Sequence, residues 1–333
     1  MARNQRPDTT RRNFCRTLAS VLVAPGIAIA QTAKVVRRIG VLEAGSPRFW
    51  TPEQLSAQAE PLRRLGWVEG QNLQIERRYA NGRSEALQPL AEELVRAQVE
   101  VIVTAGTPAT LAAKRATTTI PIVIRTSGDP VLLGLVASLA RPGGNVTGYS
   151  DAGPETTTKQ LSLLKELLPR LERIGALWDK GSPYFRAFRG QFEHVCESLG
   201  LRPVIVEVAA GEISGAVAAL VHGRAQALWA PDDLYEYRVE IVDSATKYGL
   251  PIMTDESSWV REAGALIAYS TTFVEQCRKR AEYIDRILRG AKPAGLPVQQ
   301  PTKFELVISL KTAKTLGLTI PPSLLLRADE VIR

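Results

Sequence analysis

Polar side chains stand just after several short apolar runs in this chain, where they are placed to bind the polar groups of a small molecule. The hydroxyl-bearing members are Ser46, Thr107 and Ser127, and the carboxylates are Asp129 and Asp232. Each follows a run that predicts a buried strand, and open α/β sheets bind ligands beyond the carboxyl ends of their strands. Hydroxyl groups suit a ligand carboxylate or amide, whereas carboxylates suit an ammonium group.

The densest set of these positions lies in residues 121–150. Pro121–Ile124 predicts a short buried strand, and Ser127–Pro130 predicts a turn at its carboxyl end. Proline fits the first turn of a helix, so the apolar run Val131–Leu139 predicts a helix after that turn. Asn145–Tyr149 predicts the next strand. The turn therefore brings its serine and aspartate to the end of the sheet, in position for ligand contact.

Thr107 and Asp232 each allow two interpretations. Thr107 opens a helix after the predicted strand Val99–Val103, and the unpaired N–H groups of a helix start suit a carboxylate. The alternative is that Thr107 only caps its helix. Asp232 follows the predicted strand Ala225–Trp229, where it is placed to hold a ligand ammonium group or, like Asp233 beside it, to cap the next helix.

Aromatic residues also fall near predicted strand ends. A single aromatic residue there is more often part of the core, but several together line a pocket for a flat or apolar ligand. The residues in question are Tyr149, Trp178, Trp229 and Tyr269, of which Tyr149 and Trp178 are kept as candidate ligand contacts.

Motifs for catalysis, cofactors and metals are missing from the sequence. It contains no glycine-rich phosphate loop and no nucleophile elbow. The two histidines, His194 and His222, have no ligand spacing around them, so neither a metal site nor a cofactor is predicted. A hydrolase built on Ser127 and Asp129 remains an alternative, but both histidines fall in predicted helices away from the strand ends.

Predicted strands and helices alternate along the whole chain after the N-terminal segment. This alternation calls for parallel sheets covered by helices on both faces. The pattern restarts at Arg173–Asp179, so the second half repeats the architecture of the first. The predicted fold class is α/β, with two doubly wound parallel-sheet lobes.

The N-terminal thirty residues have the three regions of a bacterial signal peptide. Thr10–Arg16 resembles a twin-arginine export motif, and Thr17–Ala30 is largely apolar with a small-x-small ending that predicts cleavage after Ala30. The apolar run is shorter than the roughly 20 residues of a membrane span. Cys15 stands where the motif usually has leucine, so the general export route stays open. A basic tail followed by a buried helix is the other interpretation.

Charge and cysteine content bound the function further. The formal net charge is +8, and half of it lies in the first thirty residues, which carry five arginines and one aspartate. The remaining basic residues are dispersed, which argues against a nucleic-acid partner.

Cys196 and Cys277 fall in separate predicted helices, so we expect two free buried thiols rather than a disulfide.

The run IPIVIRTSGDPVLLGLVASLARPGGNVTGYS, with GTPATLAAKRATTTIPIV before it and KQLSLLKELLPRLERIGALWD after it, resembles the ABC-transporter substrate-binding family that includes aromatic amino-acid binding proteins. The resemblance implies a periplasmic binding protein-like fold of type I, with a hinge of three crossovers. It places residues 34–150 and 271–299 in the first lobe, and residues 151–270 and 300–333 in the second.

The resemblance also implies a function without enzymatic activity. We expect a soluble monomer in the periplasm that closes on an amino acid or a related small amphiphile and delivers it to an ABC permease in the inner membrane. A ligand sensor that docks on a membrane receptor has the same binding chemistry and remains an alternative.

Overall fold

The computed structural model describes residues 36–126, 129–150, 153–180, 182–209 and 211–333. The predicted signal peptide and Ser127 lie outside these ranges, as does the side chain of Asp232. The strands are β1 Arg37–Glu43, β2 Leu73–Tyr79, β3 Val101–Ala105, β4 Ile122–Thr126, β5 Val146–Ser150, β6 Arg173–Asp179, β7 Arg202–Val208, β8 Ala227–Ala230, β9 Ile252–Thr254, β10 Ile267–Ser270, β11 Glu305–Ser309 and β12 Glu330–Ile332. The α-helices are α1 Pro52–Arg64, α2 Leu87–Arg96, α3 Thr107–Ala116, α4 Pro154–Leu167, α5 Pro183–Ser198, α6 Ile213–His222, α7 Arg238–Lys247, α8 Phe273–Leu288, α9 Leu310–Thr315 and α10 Pro322–Leu325.

The first sheet has five parallel strands in the order β2-β1-β3-β4-β5. The second has seven strands in the order β12-β11-β10-β9-β8-β6-β7, so its first five strands along the chain repeat the order of the first sheet. Two α/β lobes are therefore confirmed. The second sheet is not purely parallel, however, because β10 and β11 pair antiparallel where the chain returns to it. The strand Glu330–Ile332, which was not predicted, adds an edge beside β11.

Side-chain alternation gives each sheet two apolar faces. In β3, Val101 and Val103 pack with α1 and α8, whereas Ile102 packs with α2 and α3. In β6, Trp178 faces α4 and α5, whereas Leu177 faces α6 and α7. Successive strand residues point to opposite faces, so a strand that is apolar at nearly every position is stable only between two helical layers.

The first α-helix begins as the sequence predicts. Gln54 donates its backbone N–H to Thr51 Oγ1 at 3.2 Å, and its side-chain oxygen accepts the Thr51 N–H at 2.9 Å. This reciprocal capping box satisfies two N–H groups that a helix start leaves unpaired, with Pro52 at the first helical position.

The helix predicted over Val131–Leu139 is wrong, because the segment forms a single turn followed by bends. Asp129 Oδ1 accepts the N–H groups of Val131 and Leu132 at 2.8 and 3.1 Å, which starts one turn. Gly134 then adopts a φ of +65°, in the left-handed region, and ends it. The chain can then bury Leu135 and the residue after it in the core of the first lobe.

The chain crosses between the sheets three times. It passes from β5 to α4 of the second lobe, from β10 to α8 on the first sheet, and back to β11. The first and third crossings run side by side, where Ser150 N donates to Gln299 O at 2.9 Å and Gln299 N donates to Gly148 O at 3.0 Å. The residue numbers at which one lobe ends and the other begins stay a prediction.

Candidate functional site

A cleft of about 510 Å³ lies between the carboxyl ends of the two sheets. In the first sheet the strand order changes direction between β1 and β3, and in the second it does so between β6 and β8. Such a switch point leaves a crevice, because the connections on its two sides diverge. Residues that follow β1, β3, β6 and β7 all line the cleft, so the two crevices face each other.

The first-lobe wall consists of strand ends and a helix start. Gly45 and Ser46 follow β1, Gly106 and Pro108 surround the start of α3, and Arg125 lies near the end of β4. Gly106 has a φ of +82° and donates its N–H to the carbonyl of Arg125 at 2.8 Å. This bond holds the start of α3 beside the strand that carries the arginine, so a guanidinium group and a helix N-terminus border the same side of the cleft.

Behind this wall lies a buried ion pair. Glu43 Oε1 is 4.0 Å from Arg280 Nη1, and both side chains are about a tenth exposed. Arg280 also donates to Gln58 Oε1 at 3.1 Å. A buried carboxylate is costly without such a partner, and Arg280 supplies one beside the Glu43 carboxyl group at the edge of the cleft.

The second-lobe wall is formed mainly by a short 3-10 helix, Asp232–Tyr237, that follows β8. Its last four residues line the cleft together with Glu256 and Ser258. Burial raises the pKa of Tyr237, and the carboxylate of Asp179 raises it further. Burial likewise raises the pKa of Tyr235. Both phenols therefore keep their protons at neutral pH, so each hydroxyl group can act as a hydrogen-bond donor.

One hydrogen bond joins the two walls directly. The backbone N–H of Ser46 donates to Oε1 of Glu236 at 2.7 Å. Ser46 is buried, with 7% of its surface exposed. The bond spans the cleft from the first lobe to the second, so the lobes are in contact at this edge.

Carboxylates outnumber basic groups among the described residues that line the cleft. The balance favours a ligand that carries a positive group, because carboxylates in a partly dehydrated cleft attract an ammonium more strongly than carboxylates in water do. The carboxylates are those of Glu43, Glu85, Asp179, Glu236 and Glu256, and the basic groups are those of Arg125 and Lys180.

Half-buried aromatic rings supply an apolar part of the lining. They are Trp50 and Phe273 from the first lobe and Tyr235 and Tyr237 from the second. Trp50 stands edge-on to Tyr79 with ring centroids 5.8 Å apart. Rings on both sides of a narrow cleft suit a flat ligand that stacks between them.

The structure brings only some of the predicted site residues to this cleft. Ser46 lines it. Thr107 is fully buried beneath the cleft, although its neighbours Gly106 and Pro108 reach the surface of the cleft. Asp232 begins the 3-10 helix of the second wall, but its side chain lies outside the described residues.

Other predicted residues lie elsewhere. The carboxylate of Asp129 caps the turn that follows it. Tyr149 is buried in β5, on the edge strand of the first sheet. Trp178 is in the core of the second lobe, where it stacks on Phe185 with ring centroids 5.2 Å apart. The alternation of side chains along β6 explains the position of Trp178. Its side chain lies on the face of the second sheet that α4 and α5 cover, and not at the strand end that borders the cleft. Ser127 lies outside the described residues.

Sequence reasoning missed Glu43, Arg125 and Glu236 as cleft residues. Two of them could have been found from the sequence: Glu43 and Arg125 are charged residues that directly follow the apolar runs of their strands. A charged side chain at that position must point out of the apolar core. In a doubly wound sheet the ligand crevice lies at the carboxyl ends of the strands, so the side chain points toward the crevice. Glu236 carries no such signal, since it stands beyond the end of β8 in a 3-10 helix whose orientation only the fold decides.

Three further observations concern the described residues alone. Within them, no cluster of His, Cys, Asp and Glu side chains is arranged to hold a metal ion. Cys196 and Cys277 are both free and buried, as predicted. Of the helices described, none combines the length and the apolar character that crossing a membrane requires.

This architecture is found in solved structures, two of which are similar to this chain over most of its length. A conserved domain protein from Vibrio cholerae O1 biovar eltor str. N16961 superposes with a TM-score of 0.81 and 26% identity, over 89% of this chain and 99% of that chain. The ABC domain in complex with L-Trp from Streptococcus pneumonia superposes with a TM-score of 0.79 and 28% identity, over 89% of this chain and 100% of that chain. The two-lobed α/β architecture is the type I periplasmic binding protein fold.

Sequence comparison agrees with the structures. A tyrosine-binding protein from Clostridioides difficile (strain R20291) is 29% identical over 264 residues, which cover 76% of this chain and 73% of that protein. A family model described as ABC transporter substrate binding protein matches residues 54–332, well over half of the chain. This protein belongs to the ABC transporter substrate-binding protein family.

Proposed function

We propose that this protein is the substrate-binding component of an ABC importer and that it closes on an aromatic amino acid between its lobes. The observation that carries the proposal is the composition of the cleft, in which aromatic rings, carboxylates and a helix start meet in about 510 Å³. An aromatic amino acid has a matching flat ring, an ammonium group and a carboxylate. The likeness to a tyrosine-binding protein and to a domain in complex with L-Trp supports the same ligand class.

In the proposed pose, the ligand carboxylate lies toward the start of α3, where backbone N–H groups lack partners within the helix. Thr107 and Ser46 support that end. The ammonium lies toward the carboxylates of the second lobe, with Asp232 as a further partner at the start of its 3-10 helix. The ligand ring stacks between Trp50 and Tyr235, which come from opposite walls. The ligand-contact roles predicted for Ser127, Asp129, Tyr149 and Trp178 stay predictions.

The cellular setting follows from the family and the N-terminal sequence. We infer export by the twin-arginine route, cleavage after Ala30, and action in the periplasm as a soluble monomer that passes its ligand to an ABC permease. Binding alone is required for that role, since the protein carries the ligand without changing it. A ligand sensor for a membrane receptor is the alternative that shares this binding chemistry.

Titration calorimetry on the purified protein tests the ligand class. L-Tryptophan, L-tyrosine and L-phenylalanine are compared with L-leucine, L-lysine and a sugar of similar size. We expect binding by at least one aromatic amino acid. In a separate urea titration, that ligand is expected to raise the unfolding free energy by about 2.7 kcal/mol at a hundredfold excess over Kd. Tighter binding of leucine, lysine or the sugar than of any aromatic amino acid would contradict the proposal.

A further inference from the structure

The guanidinium group of Arg125 is fixed at the cleft by a buried amide. Arg125 Nη1 donates to Oε1 of Gln276 at 2.6 Å. Gln276 is 1% exposed and lies in the first turn of α8, three residues after the cleft-lining Phe273. A guanidinium has only donors, so the amide must turn its oxygen toward it.

The other side of the amide is fixed as well. Nε2 of Gln276 donates to Oγ1 of Thr271 at 2.7 Å, and Thr271 is 2% exposed. Thr271 lies on the crossing between β10 of the second lobe and α8 on the first sheet. Because the hydroxyl takes the NH₂ group, the amide oxygen is left pointing at the arginine. Three side chains thus form a chain from a lobe crossing to the cleft.

We propose that Gln276 is a positioning residue that aims Arg125 at the carboxylate of the ligand, and that Thr271 sets the orientation of its amide. This inference rests on the proposed function and names what the site requires of its ligand. Arg125 stands beside the start of α3, so a planar cation and a helix N-terminus converge on one anion. The arrangement makes the site selective for an aromatic amino acid over the corresponding amine, which lacks the carboxylate.

Selectivity separates this role from a merely structural one. L-Tryptophan and tryptamine share the indole ring and the ammonium group and differ in the carboxylate, so the ratio of their Kd values reports the anion site alone. We expect the wild-type protein to bind L-tryptophan at least about tenfold more tightly than tryptamine. Arg125→Met is expected to reduce this preference by weakening L-tryptophan binding, while the start of α3 still contacts the carboxylate.

Gln276→Met, which keeps the length of the side chain but not its amide, is expected to raise the Kd for L-tryptophan about tenfold and to change that for tryptamine by less than about twofold. Thr271→Val is expected to shift the ratio in the same direction, and Thr271→Ser, which restores the hydroxyl, to restore it. In the Arg125→Met background, Gln276→Met is expected to add nothing, because the group it positions is gone.

Several outcomes overturn the inference. Equal weakening of both ligands by Gln276→Met would show a structural role only, and so would additive effects of Gln276→Met and Arg125→Met. A wild-type protein that binds tryptamine as tightly as L-tryptophan would refute the carboxylate selectivity while leaving an aromatic ligand in place. If the wild-type protein bound neither tryptamine nor any of the aromatic amino acids, the proposed function would be rejected, and this inference with it.

Discussion

The backbone N–H of Ser46 and the carboxylate of Glu236 meet at 2.7 Å although 190 residues separate them in the chain. Ser46 belongs to the loop after β1, and Glu236 to the 3-10 helix after β8. Glu236 Oε1 also lies 2.7 Å from where a Cβ on Gly45 would stand. A side chain at position 45 would make this carboxylate shift, whereas glycine leaves room for the bond that joins the two walls at the edge of the cleft.

Loss of this bond is expected to favour an open cleft. Glu236→Ala removes the acceptor, and we expect a larger radius of gyration in ligand-free protein by small-angle X-ray scattering. A bond made only when the lobes meet stabilises the closed state alone, so the Kd for the ligand is expected to rise about tenfold. Glu236→Gln keeps an oxygen acceptor and serves as the matched variant, with a smaller expected change. An unchanged radius of gyration in Glu236→Ala would contradict this role.

Gly148→Ala is expected to destabilise the first lobe severely. Gly148 pairs with Ile124 across β4 and β5 at a φ of +138°, and an added Cβ would lie 2.5 Å from the carbonyl oxygen of Ile124. A backbone atom cannot move aside cheaply, so we expect a loss of about 3 kcal/mol in unfolding free energy, measured by urea titration. Gly190→Ala is the control, because that exposed helical glycine has open space around it and the change is expected to stabilise by about 0.5–1 kcal/mol. A loss below about 1 kcal/mol at Gly148 would show that the strands can separate locally.

Gln160→Met is expected to weaken the core of the second lobe. The Gln160 side chain is 1% exposed, accepts the indole N–H of Trp229 at 2.9 Å and donates to the carbonyl of Tyr269 at 2.9 Å. Its loss leaves a buried donor and a buried acceptor without partners, at a cost of about 2–4 kcal/mol. Gln74→Met on the exposed edge strand is the control and is expected to stay within about 0.5 kcal/mol of wild type. If the urea midpoints of Gln160→Met and Gln74→Met were similar, the two hydrogen bonds of Gln160 would not contribute to stability as expected.

Alkaline pH is expected to reduce stability through Cys196. Burial raises the pKa of its thiol from 9.0 to about 12. Between these pH values the folded protein holds a proton that the unfolded chain has released, so the unfolding free energy falls as pH rises through this window. One proton corresponds to a slope of at most about 1.4 kcal/mol per pH unit.

Comparison with Cys196→Ala isolates this contribution. We expect the stability advantage of wild type over the variant to shrink from pH 9 to pH 11 in urea titrations, and we expect a thiol reagent at pH 8 to react with Cys196 only after unfolding. A constant difference between the two proteins across that range would contradict a raised pKa.

Local pattern was sufficient to predict most elements of the fold. Apolar strands such as β6, the cap at Thr51 and the repeated alternation of strand and helix follow from side-chain parity and helix-start chemistry, which act over a few residues. The segment Val131–Leu139 was mispredicted because its apolar residues suit a helix and a buried loop equally, and one glycine in the left-handed region decided between them. The antiparallel return of β11 was also missed, since strand direction depends on the route of the connection.

Two α/β lobes, and a ligand site near their strand ends, could be predicted from the order of the amino acids alone. Tertiary structure decided which residues form that site. Strand order brings β1 beside β3, and the three crossings place the carboxyl ends of the two sheets opposite each other. Glu236 therefore meets Ser46, and Gln276 meets Arg125, across 190 and 151 residues. Trp178 lies in the core because α4 and α5 cover the face of the second sheet to which its side chain points. Contacts over such separations depend on the whole path of the chain, which no local pattern encodes.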